Sequence, residues 1–507
     1  MASSASPKPR IPRQKLELWV ASLPNLLVSS TSITKDVSEA VRRGLLRRIG
    51  PSLYSRDTST ALEDLVRQNA IAIAALKLPG HVLSHRTALE FKPAEGHLFV
   101  TGARAQTLSL TCLTIKVKKG AGPLPNDMPV MGFFQSSPAR AYLENLDYTR
   151  RTSGVSWILS REEIEARLEE YLQRYGEDRL NELRDQAKTL APQLDMHEGL
   201  VALDEIIGGL LNTRTTRMTA PTAIARQAGL PFDRHRVSLF EALASLLLER
   251  HGEVARPRGA MLSHEFQHLA FIDAYFSNYI EGTTFPVSEA KDIAFDNKIP
   301  EDRPKDAHDI GGTFELLSDR GEMSISAAEF DDVDSFERTL KHRHETIMRA
   351  RPEVHPGEFK QHSNRAGNTL FVAPELVRGT MACGLRTFKT LKTPFQRAAF
   401  MMFMLSEIHP FVDGNGRLAR VMMNAELDSA EEHRILIVTS YRTDYLAALR
   451  RLSRRSDPRV YVRMLDRAQE LASRLQYDDL DQLLAVLEDC NAFDDSGGIM
   501  RLPPVPA

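Results

Sequence analysis

The second half of the chain repeats apolar residues at helical spacing. From about residue 195 to 475 the pattern is almost wholly helical, with one break at 357–372, where GEFKQHSNRAGNTLFV places a turn-rich core between short apolar ends. This break predicts a β-hairpin. The segment TPFQ at 393–396 combines capping-box spacing with proline at the first helical position, so a helix is predicted from there to about residue 408.

The first half mixes helical and strand-like segments. Residues 34–43 predict a helix that stops at Gly44, and LLRRIGPSLYS then predicts a short basic hairpin centred on its Gly-Pro pair. A helix followed by a basic hairpin is typical of a winged helix-turn-helix. Residues 61–76 again have helical spacing, and HLFVTG and LSLTCLTIKVKK alternate as strands do. A small α/β domain is therefore expected to end near residue 150.

Residues 161–190 are rich in Glu, Arg, Leu and Gln, with opposite charges four residues apart, and predict a long solvated helix that connects the two halves. The predicted fold class is mainly α: an all-helical core with a small β-hairpin flap, preceded by a winged helix-turn-helix and a small α/β domain. The expected divisions are a flexible tail at 1–11, a winged-helix-like domain at 12–57, a small α/β domain at 58–155, a helical linker at 156–195, the helical core at 196–475 and a C-terminal tail at 476–507.

Composition narrows the class of protein. A chain of 507 residues is long enough for two to four domains, and its 42% apolar and 26% charged residues exclude disordered, collagen-like and disulfide-stapled classes. No apolar run approaches the roughly 18 residues needed to span a bilayer, and residues 1–15 lack a signal core. We therefore expect a cytoplasmic protein without a membrane partner. The three cysteines have no spacing typical of a zinc site.

The segment HPFVDGNGRLAR, from His409 to Arg420, concentrates groups suited to phosphate chemistry. Apolar residues at 418, 421, 422 and 425 predict that a second helix begins within GNGR. Two glycines at a helix start let backbone amides converge on an anion, and Arg417 and Arg420 lie on one face of that first turn. Asp413 suits Mg²⁺ bound together with a polyphosphate. His409 can accept a proton from an attacking hydroxyl.

Each of these features alone also fits an ordinary helix cap, surface ion pair or turn, but their combination favours a catalytic site. The chain contains neither a GxxxxGK[ST] loop nor a kinase set of Gly-rich loop, HRD and DFG.

HPFVDGNGRLAR resembles the Fic family pattern HPFx(D/E)GNGRxxR at every specified position. The resemblance implies a protein adenylyltransferase that moves AMP from Mg²⁺-ATP to a Ser, Thr or Tyr hydroxyl of a target protein. It also implies that 357–372 is a flap that aligns the target, although Lys360 stands where many members have Arg. The implied roles are general base for His409, magnesium ligand for Asp413, loop anchor for Phe411, anion hole for Gly414, Asn415 and Gly416, and triphosphate ligands for Arg417 and Arg420.

A second motif predicts a restraint on this site. In FSNYIEG, Ser277 and Glu281 are four residues apart near the end of a helix that Gly282 is expected to stop. By itself this fits an exposed glutamate at a helix end. However, SNYIEG resembles the family's inhibitory pattern [S/T]xxxE[G/N]. The resemblance implies an inhibitory helix near 264–282 whose Glu281 pairs with Arg420 and excludes productive ATP. In some relatives the same glutamate supports removal of AMP, so a de-AMPylase remains an alternative.

The N-terminal region suggests a further partner. Residues 1–57 contain ten Lys and Arg against four Asp and Glu, a local charge of +6 in a chain of net charge −2. About 140 residues here resemble AbiEi-type antitoxins and regulators, which implies duplex DNA as a partner. The alternative is a solvated basic face in a protein–protein adaptor. A rival function is thus a DNA-binding regulator with a nucleotide-sensing Fic domain, and a homodimer is among the states left open. The candidate DNA-binding residues are Lys35, Ser38, Arg42, Arg43, Arg47 and Arg48.

Overall fold

The computed structural model describes residues 13–147, 154–250, 255–496 and 499–504. The chain divides into two compact units, Met1–Gln227 and Ala228–Ala507. The tail expected at 1–11 lies outside the described residues. Helices make up 57% of the structure, as the predicted mainly α class requires, but the first unit also contains a sizeable sheet region. In the described part of the chain, no helix is both long and apolar enough to span a bilayer.

The first unit contains nine helices and nine strands among its described residues. Its helices are α1 (Arg13–Ser22), α2 (Thr34–Arg42), α3 (Leu62–Gln68), α4 (Ala70–Lys77), α5 (His85–Glu90), α6 (Pro138–Leu146), α7 (Arg161–Leu194), α8 (His197–Leu210) and α9 (Pro221–Gln227). Its strands are β1 (Leu26–Val28), β2 (Arg47–Gly50), β3 (Leu53–Ser55), β4 (Val82–Leu83), β5 (His97–Gly102), β6 (Gln106–Leu110), β7 (Leu113–Lys119), β8 (Met128–Val130) and β9 (Phe133–Gln135).

Two sheets organise the first unit. β1, β3 and β2 form an antiparallel sheet in that order, and Leu16 and Val37 of the neighbouring helices belong to the same apolar cluster as Leu27. The predicted basic hairpin is therefore present as β2 and β3. A second, mixed sheet has the order β6-β7-β5-β4-β9-β8. The segment LSLTCLTIKVKK forms two antiparallel strands rather than one, because the chain turns at Cys112, whose φ is +57°.

The long helix α7 differs from the expected solvated connector. It breaks at Gly176, whose φ is +81°, and its apolar face is buried with α6, α8 and α9. Leu168 and Leu183 are among the residues it contributes to this core. Charged residues outnumber the leucines along this sequence, which is why the sequence predicted a solvated helix. A narrow apolar face is nevertheless enough to pack one side of a helix.

The second unit is almost wholly helical. Its strands are β10 (Arg365–Ala366) and β11 (Thr369–Leu370), which pair as the predicted hairpin. Its helices are α10 (Arg234–Arg250), α11 (Ser263–Ile280), α12 (Val287–Asp296), α13 (Pro304–Ser318), α14 (Arg320–Met323), α15 (Val333–Met348), α16 (Val377–Phe388), α17 (Pro394–Ile408), α18 (Asn415–Asp428), α19 (Arg442–Arg455), α20 (Arg459–Ser473) and α21 (Leu480–Asp489).

Helix α17 lies in the core of the second unit. Its sequence is apolar without interruption from Ala398 to Leu405, and a helix with such a run is stable when neighbours cover every side of it. Helices α10, α16 and α18 pack against it. The end of the chain also differs from the expected tail at 476–507, because α21 buries Leu483 and Leu487 in a second apolar cluster.

A buried network of charges links α18 to α11. Arg434 is fully buried, donates a hydrogen bond to Asp428 at 2.6 Å and lies 3.3 Å from Asp273. Asn424 donates to the same Asp273 carboxylate at 2.9 Å. Burial raises the pKa of Asp273 to about 6, and Arg434 opposes that shift. The network therefore fixes the relative position of two helices that carry the predicted site.

Replacing Arg434 by methionine is expected to lower the free energy of unfolding by about 3–5 kcal/mol, because two buried carboxylates lose a shared cation. Urea unfolding followed by circular dichroism measures this loss. Arg349→Met is the matched control, since Arg349 is half exposed and pairs with Glu315 at the surface, where such pairs contribute less than about 1 kcal/mol. An equal loss of unfolding free energy in the two variants would contradict a stabilising role for the buried Arg434 network.

Candidate active site

The loop between α17 and α18 has a defined start and end. Thr393 and Gln396 form the predicted capping box at the start of α17, and the helix ends at His409, whose φ of +53° turns the chain away from the helix. Gly414, with φ of +75°, then precedes the first residue of α18. The loop thus lies between a helix C-terminus and a helix N-terminus, as the sequence predicted.

The side chain of Asn415 holds this loop in shape. Its Oδ1 accepts a hydrogen bond from Phe411 N, and its Nδ2 donates to Phe411 O, both at 2.9 Å. Asn364 Nδ2 donates to the same carbonyl at 2.9 Å. Phe411 itself is fully buried. Only the backbone N–H of Asn415 therefore remains for the anion hole that the family resemblance implies.

His344 of α15 is a site residue that the sequence analysis missed. Its ring stacks on Phe411 with centroids 3.7 Å apart, Nε2 donates to Asp413 O at 2.9 Å, and Nδ1 accepts from Gly357 N at 3.0 Å. Burial lowers its pKa to about 4, so the ring is neutral and the two nitrogens keep separate roles. His344 lies four residues after Leu340 and three before Ile347, and this helical spacing places it on the buried face of α15. The spacing is the signal by which the sequence could have indicated a buried histidine.

Lys360 supports the other end of the loop. This buried side chain donates to His409 O and Asn364 Oδ1, both at 2.7 Å, and its backbone N donates to Pro410 O at 2.9 Å. Burial lowers its pKa to about 8. Lys360 therefore holds the backbone that carries His409 and does not reach the outer face of the loop.

The His409 ring is held by stacking. It lies parallel to Phe371, just beyond β11, with centroids 3.7 Å apart, and its Nδ1 is 3.3 Å from Ser406 O. That carbonyl accepts a hydrogen bond from Nδ1–H in the tautomer that carries the proton on Nδ1, and this tautomer leaves the lone pair on Nε2. Burial lowers the pKa of His409 to about 4, and Lys360 adds to this shift. At neutral pH the imidazole is uncharged and can act as a base.

Asp413 presents an exposed carboxylate at the start of α18. Its Oδ1 accepts a hydrogen bond from Gly414 N at 2.7 Å. The described residues include no cluster of three His, Cys, Asp or Glu side chains that could bind a metal by themselves. A single hard oxygen ligand of this kind fits Mg²⁺ that phosphate oxygens and water also ligate.

Arg417 and Arg420 are both buried and both contact α11, and Arg417 also contacts α13. Arg417 Nη1 is 2.5 Å from Asp309 of α13, a partner that the sequence analysis missed, and 3.4 Å from Asn278 Oδ1. Asp309 also pairs with Arg351. Arg417 Nε and Arg420 Nη1 have no hydrogen-bond acceptor among the described residues. These two buried donors could bind an anion that enters the site.

The candidate inhibitory segment lies directly against α18. Arg420 Nε donates to Ser277 Oγ at 2.8 Å, and its Nη2 donates to Ser277 O at 2.8 Å and Glu281 Oε1 at 2.7 Å. Glu281 follows the last residue of α11, and Gly282 turns the chain with φ of +93°. A side chain at Gly416 would collide with the Glu281 carboxylate. Glu281 thus occupies space at the N-terminus of α18.

The candidate DNA-binding residues lie around the first sheet. Three on α2 and one on β2 are exposed, namely Lys35, Ser38, Arg42 and Arg48. Arg42 and Arg43 both pair with Glu39, and Arg47 donates to Thr60 O. Glu39 offsets part of the positive charge of this surface, whereas the Thr60 carbonyl only fixes the position of Arg47.

Residues 333–427 match the model of the Fic/DOC family. A protein adenylyltransferase Fic from Drosophila erecta is 25% identical over 242 residues, which are 46% of this chain and 46% of that protein. The solved structure of Fic-1 from C. elegans is 16% identical to this chain, with a TM-score of 0.35. The matched region covers 65% of this chain and 89% of the Fic-1 chain. A Fic domain containing signaling protein from Bacteroides thetaiotaomicron is 20% identical with a TM-score of 0.36. That match covers 47% of this chain and 97% of the other chain.

The chain spans less than half the length of the curated relatives it matches, and the two TM-scores are too low to add to the fold assignment. The family match includes the whole loop from His409 to Arg420. Residues 333–427 therefore match a Fic domain, and relatives named protein adenylyltransferase are similar to this chain at 25% identity.

Proposed function

We propose that the Fic domain of this chain transfers AMP from Mg²⁺-ATP to a Ser, Thr or Tyr hydroxyl of another protein. The observation that carries the proposal is a neutral His409 beside a helix N-terminus and two buried arginine donors that lack acceptors among the described residues. A helix N-terminus and arginine side chains are the usual partners of phosphate oxygens.

In the proposed reaction, His409 Nε2 accepts the proton of the target hydroxyl while the hydroxyl oxygen attacks the α-phosphorus of ATP. A new P–O bond joins the target to AMP, and the bond between the α-phosphorus and the bridging oxygen breaks, so pyrophosphate leaves with the electron pair. Asp413 would hold Mg²⁺, which offsets the charge of the pyrophosphate. Arg417 and Arg420 would bind the outer phosphates.

The target segment is proposed to bind along β10 and β11. This two-stranded hairpin has free edges, and an extended peptide can add a strand to such an edge. Phe371, which follows β11, stacks on His409. A strand added here would bring its hydroxyl side chain close to the base.

Glu281 is proposed to restrain the enzyme. Its carboxylate uses an Arg420 donor that the γ-phosphate of ATP would need, and it lies over Gly416. Two negative groups cannot share this space without strong repulsion. ATP would then bind in an unproductive pose until Glu281 moves.

Mass spectrometry of the Glu281→Gly protein after incubation with Mg²⁺ and ATP tests the proposed activity. The expected result is a covalently attached adenylate on the protein itself. ATP bound without any covalent product, in both this variant and the wild type, would contradict the activity and favour a nucleotide-sensing domain.

His344→Phe, made in the Glu281→Gly protein, is expected to lower kcat for AMP transfer by about tenfold, with little change in the KM for ATP. The phenyl ring keeps the stacking on Phe411 but leaves Asp413 O and Gly357 N without partners, at a cost of about 1–3 kcal/mol for each buried group. Steady-state kinetics with varied ATP at saturating target protein measure kcat and the KM for ATP separately. His342→Phe is the control, because His342 is exposed on the same helix. A change confined to KM would show that His344 does not position the loop.

Duplex DNA is a second candidate partner, through the first unit. Lys35 of α2 and Arg48 of β2 are both exposed, and such basic side chains favour binding to the phosphates of DNA. Lys35→Gln/Arg48→Gln is expected to weaken binding and to reduce the slope of log K against log salt by about 2, roughly 0.9 for each lost phosphate contact. Fluorescence anisotropy with labelled duplex DNA measures the slope. Lys291→Gln/Arg349→Gln removes the same charge elsewhere and should leave it unchanged.

A further inference from the structure

A groove lies between helices α19 and α20. We call it the basic groove, and Arg450 of α19 and Arg463 of α20 are among the residues that line it. It has a volume of about 780 Å³. The chain as a whole has two more acidic than basic residues, so this local excess of cations does not follow from its composition. The groove is lined by six arginines, Arg450, Arg451, Arg454, Arg455, Arg463 and Arg467, against one acidic residue, Asp444.

Most of these arginines lack an acidic partner among the residues that the structure describes. Arg451 pairs with Asp457, and Arg467 lies 3.3 Å from Glu470. The other four have no carboxylate within ion-pair distance in the described part of the chain, and all four are exposed. Like charges held side by side repel one another, so an anionic ligand would be favoured here.

The floor of the groove is apolar. Val460 and Met464 of α20 line it, together with Ala447 and Ala448 of α19. Phosphate groups of a nucleic acid gain nothing from such a floor, whereas the apolar side chains of a peptide can pack on it. A peptide that alternates acidic and apolar residues matches both the walls and the floor.

The groove begins beside the flap hairpin. Arg454 Nη2 is 3.4 Å from Thr369 Oγ1 of β11, and Phe371, two residues further along, stacks on His409. A peptide that pairs with the hairpin could therefore continue into the basic groove. The two surfaces would contact neighbouring parts of one ligand.

We infer that the basic groove binds an acidic segment of the target protein, next to the residue that the hairpin presents to His409. The inference rests on the proposed function in one respect, because the ligand is called a target only if AMP is transferred to another protein. Arginine guanidinium groups bind carboxylates through paired hydrogen bonds, so Glu and Asp in such a segment would both bind the target and fix its register.

The test measures binding, without transfer, so its failure is distinct from failure of the proposed activity. The probe is a fluorescein-labelled peptide of alternating Glu and Leu, and its partner peptide has Gln in place of Glu. Anisotropy with the full chain is expected to show binding of the Glu peptide alone, weakening as salt rises. Arg450→Gln/Arg463→Gln should weaken it roughly tenfold, as expected for two lost charge-assisted contacts.

Arg338→Gln/Arg349→Gln is the matched control, since both residues are exposed and neither lines the groove. It should bind the Glu peptide as the wild type does. Equal binding of the Glu and Gln peptides, or equal affinity in the groove variant and the control, would overturn the inference. Duplex DNA that displaces the peptide, and whose own affinity falls in the groove variant, would also overturn it and identify a nucleic-acid site.

Discussion

His409→Ala, made in the Glu281→Gly protein, is expected to lower the rate of AMP transfer by about 10²–10⁴-fold, the usual contribution of a positioned general base. The substitution removes the neutral ring, stacked on Phe371, that is proposed to take the proton of the attacking hydroxyl. Incorporation of label from α-labelled ATP measures the rate. The variant should still bind ATP, because the amides of α18 and both arginines are unchanged.

The pH dependence supplies a second check on His409. Its pKa is lowered from the ordinary 6.5 to about 4 by burial, and the base is the unprotonated form. The rate in the Glu281→Gly protein should therefore persist as the pH falls through 6.5 and decline only as it approaches 4. His342→Ala, at an exposed histidine of α15, is the control and should change neither rate nor profile. A rate lost with a midpoint at 6.5 would contradict a buried, neutral His409.

Glu281→Gly is expected to raise AMP transfer by about 10- to 100-fold, which corresponds to a coupling free energy of the size common between two competing ligands. The glycine removes the carboxylate that pairs with Arg420 and opens the space over Gly416. Labelled ATP and gel autoradiography compare it with the wild type. Glu301→Gly, at an exposed acid in the turn before α13, is the control.

Glu281→Gln separates charge from volume. It keeps the side chain over Gly416 but weakens its bond to Arg420, so an intermediate rate is expected if both effects contribute. Glu281→Gly should also be less stable than the wild type without ATP, because the buried Arg420 loses its carboxylate, and should regain stability with ATP by mass action. Equal transfer rates in Glu281→Gly and wild type would exclude Glu281 as an inhibitor.

Several local features could be predicted from the sequence because they depend on neighbouring residues. The start of α17 follows from the capping box of Thr393 and Gln396, and its end at His409 follows from the loop motif. The end of α11 follows from Gly282 in the same way. Spacing within a helix also put Ser277 and Glu281 on one face. Each of these relations spans only a few residues, so the periodicity of the chain is sufficient to determine it.

Other features depended on contacts between distant residues. Asp309 lies more than 100 residues before Arg417, and nothing near either residue indicates their ion pair. The burial of α7 and α21 arises from neighbours that cover one narrow apolar face.

The sequence by itself determined which residues form the loop from His409 to Arg420, because the spacing of base, carboxylate, glycines and arginines is local. Only the tertiary structure decided their state. It lowered the pKa of His409 by burying the ring, tied Arg417 to Asp309 and brought Glu281 against Gly416. Charge state and ion pairing depend on which distant groups surround a side chain, and packing alone establishes that environment.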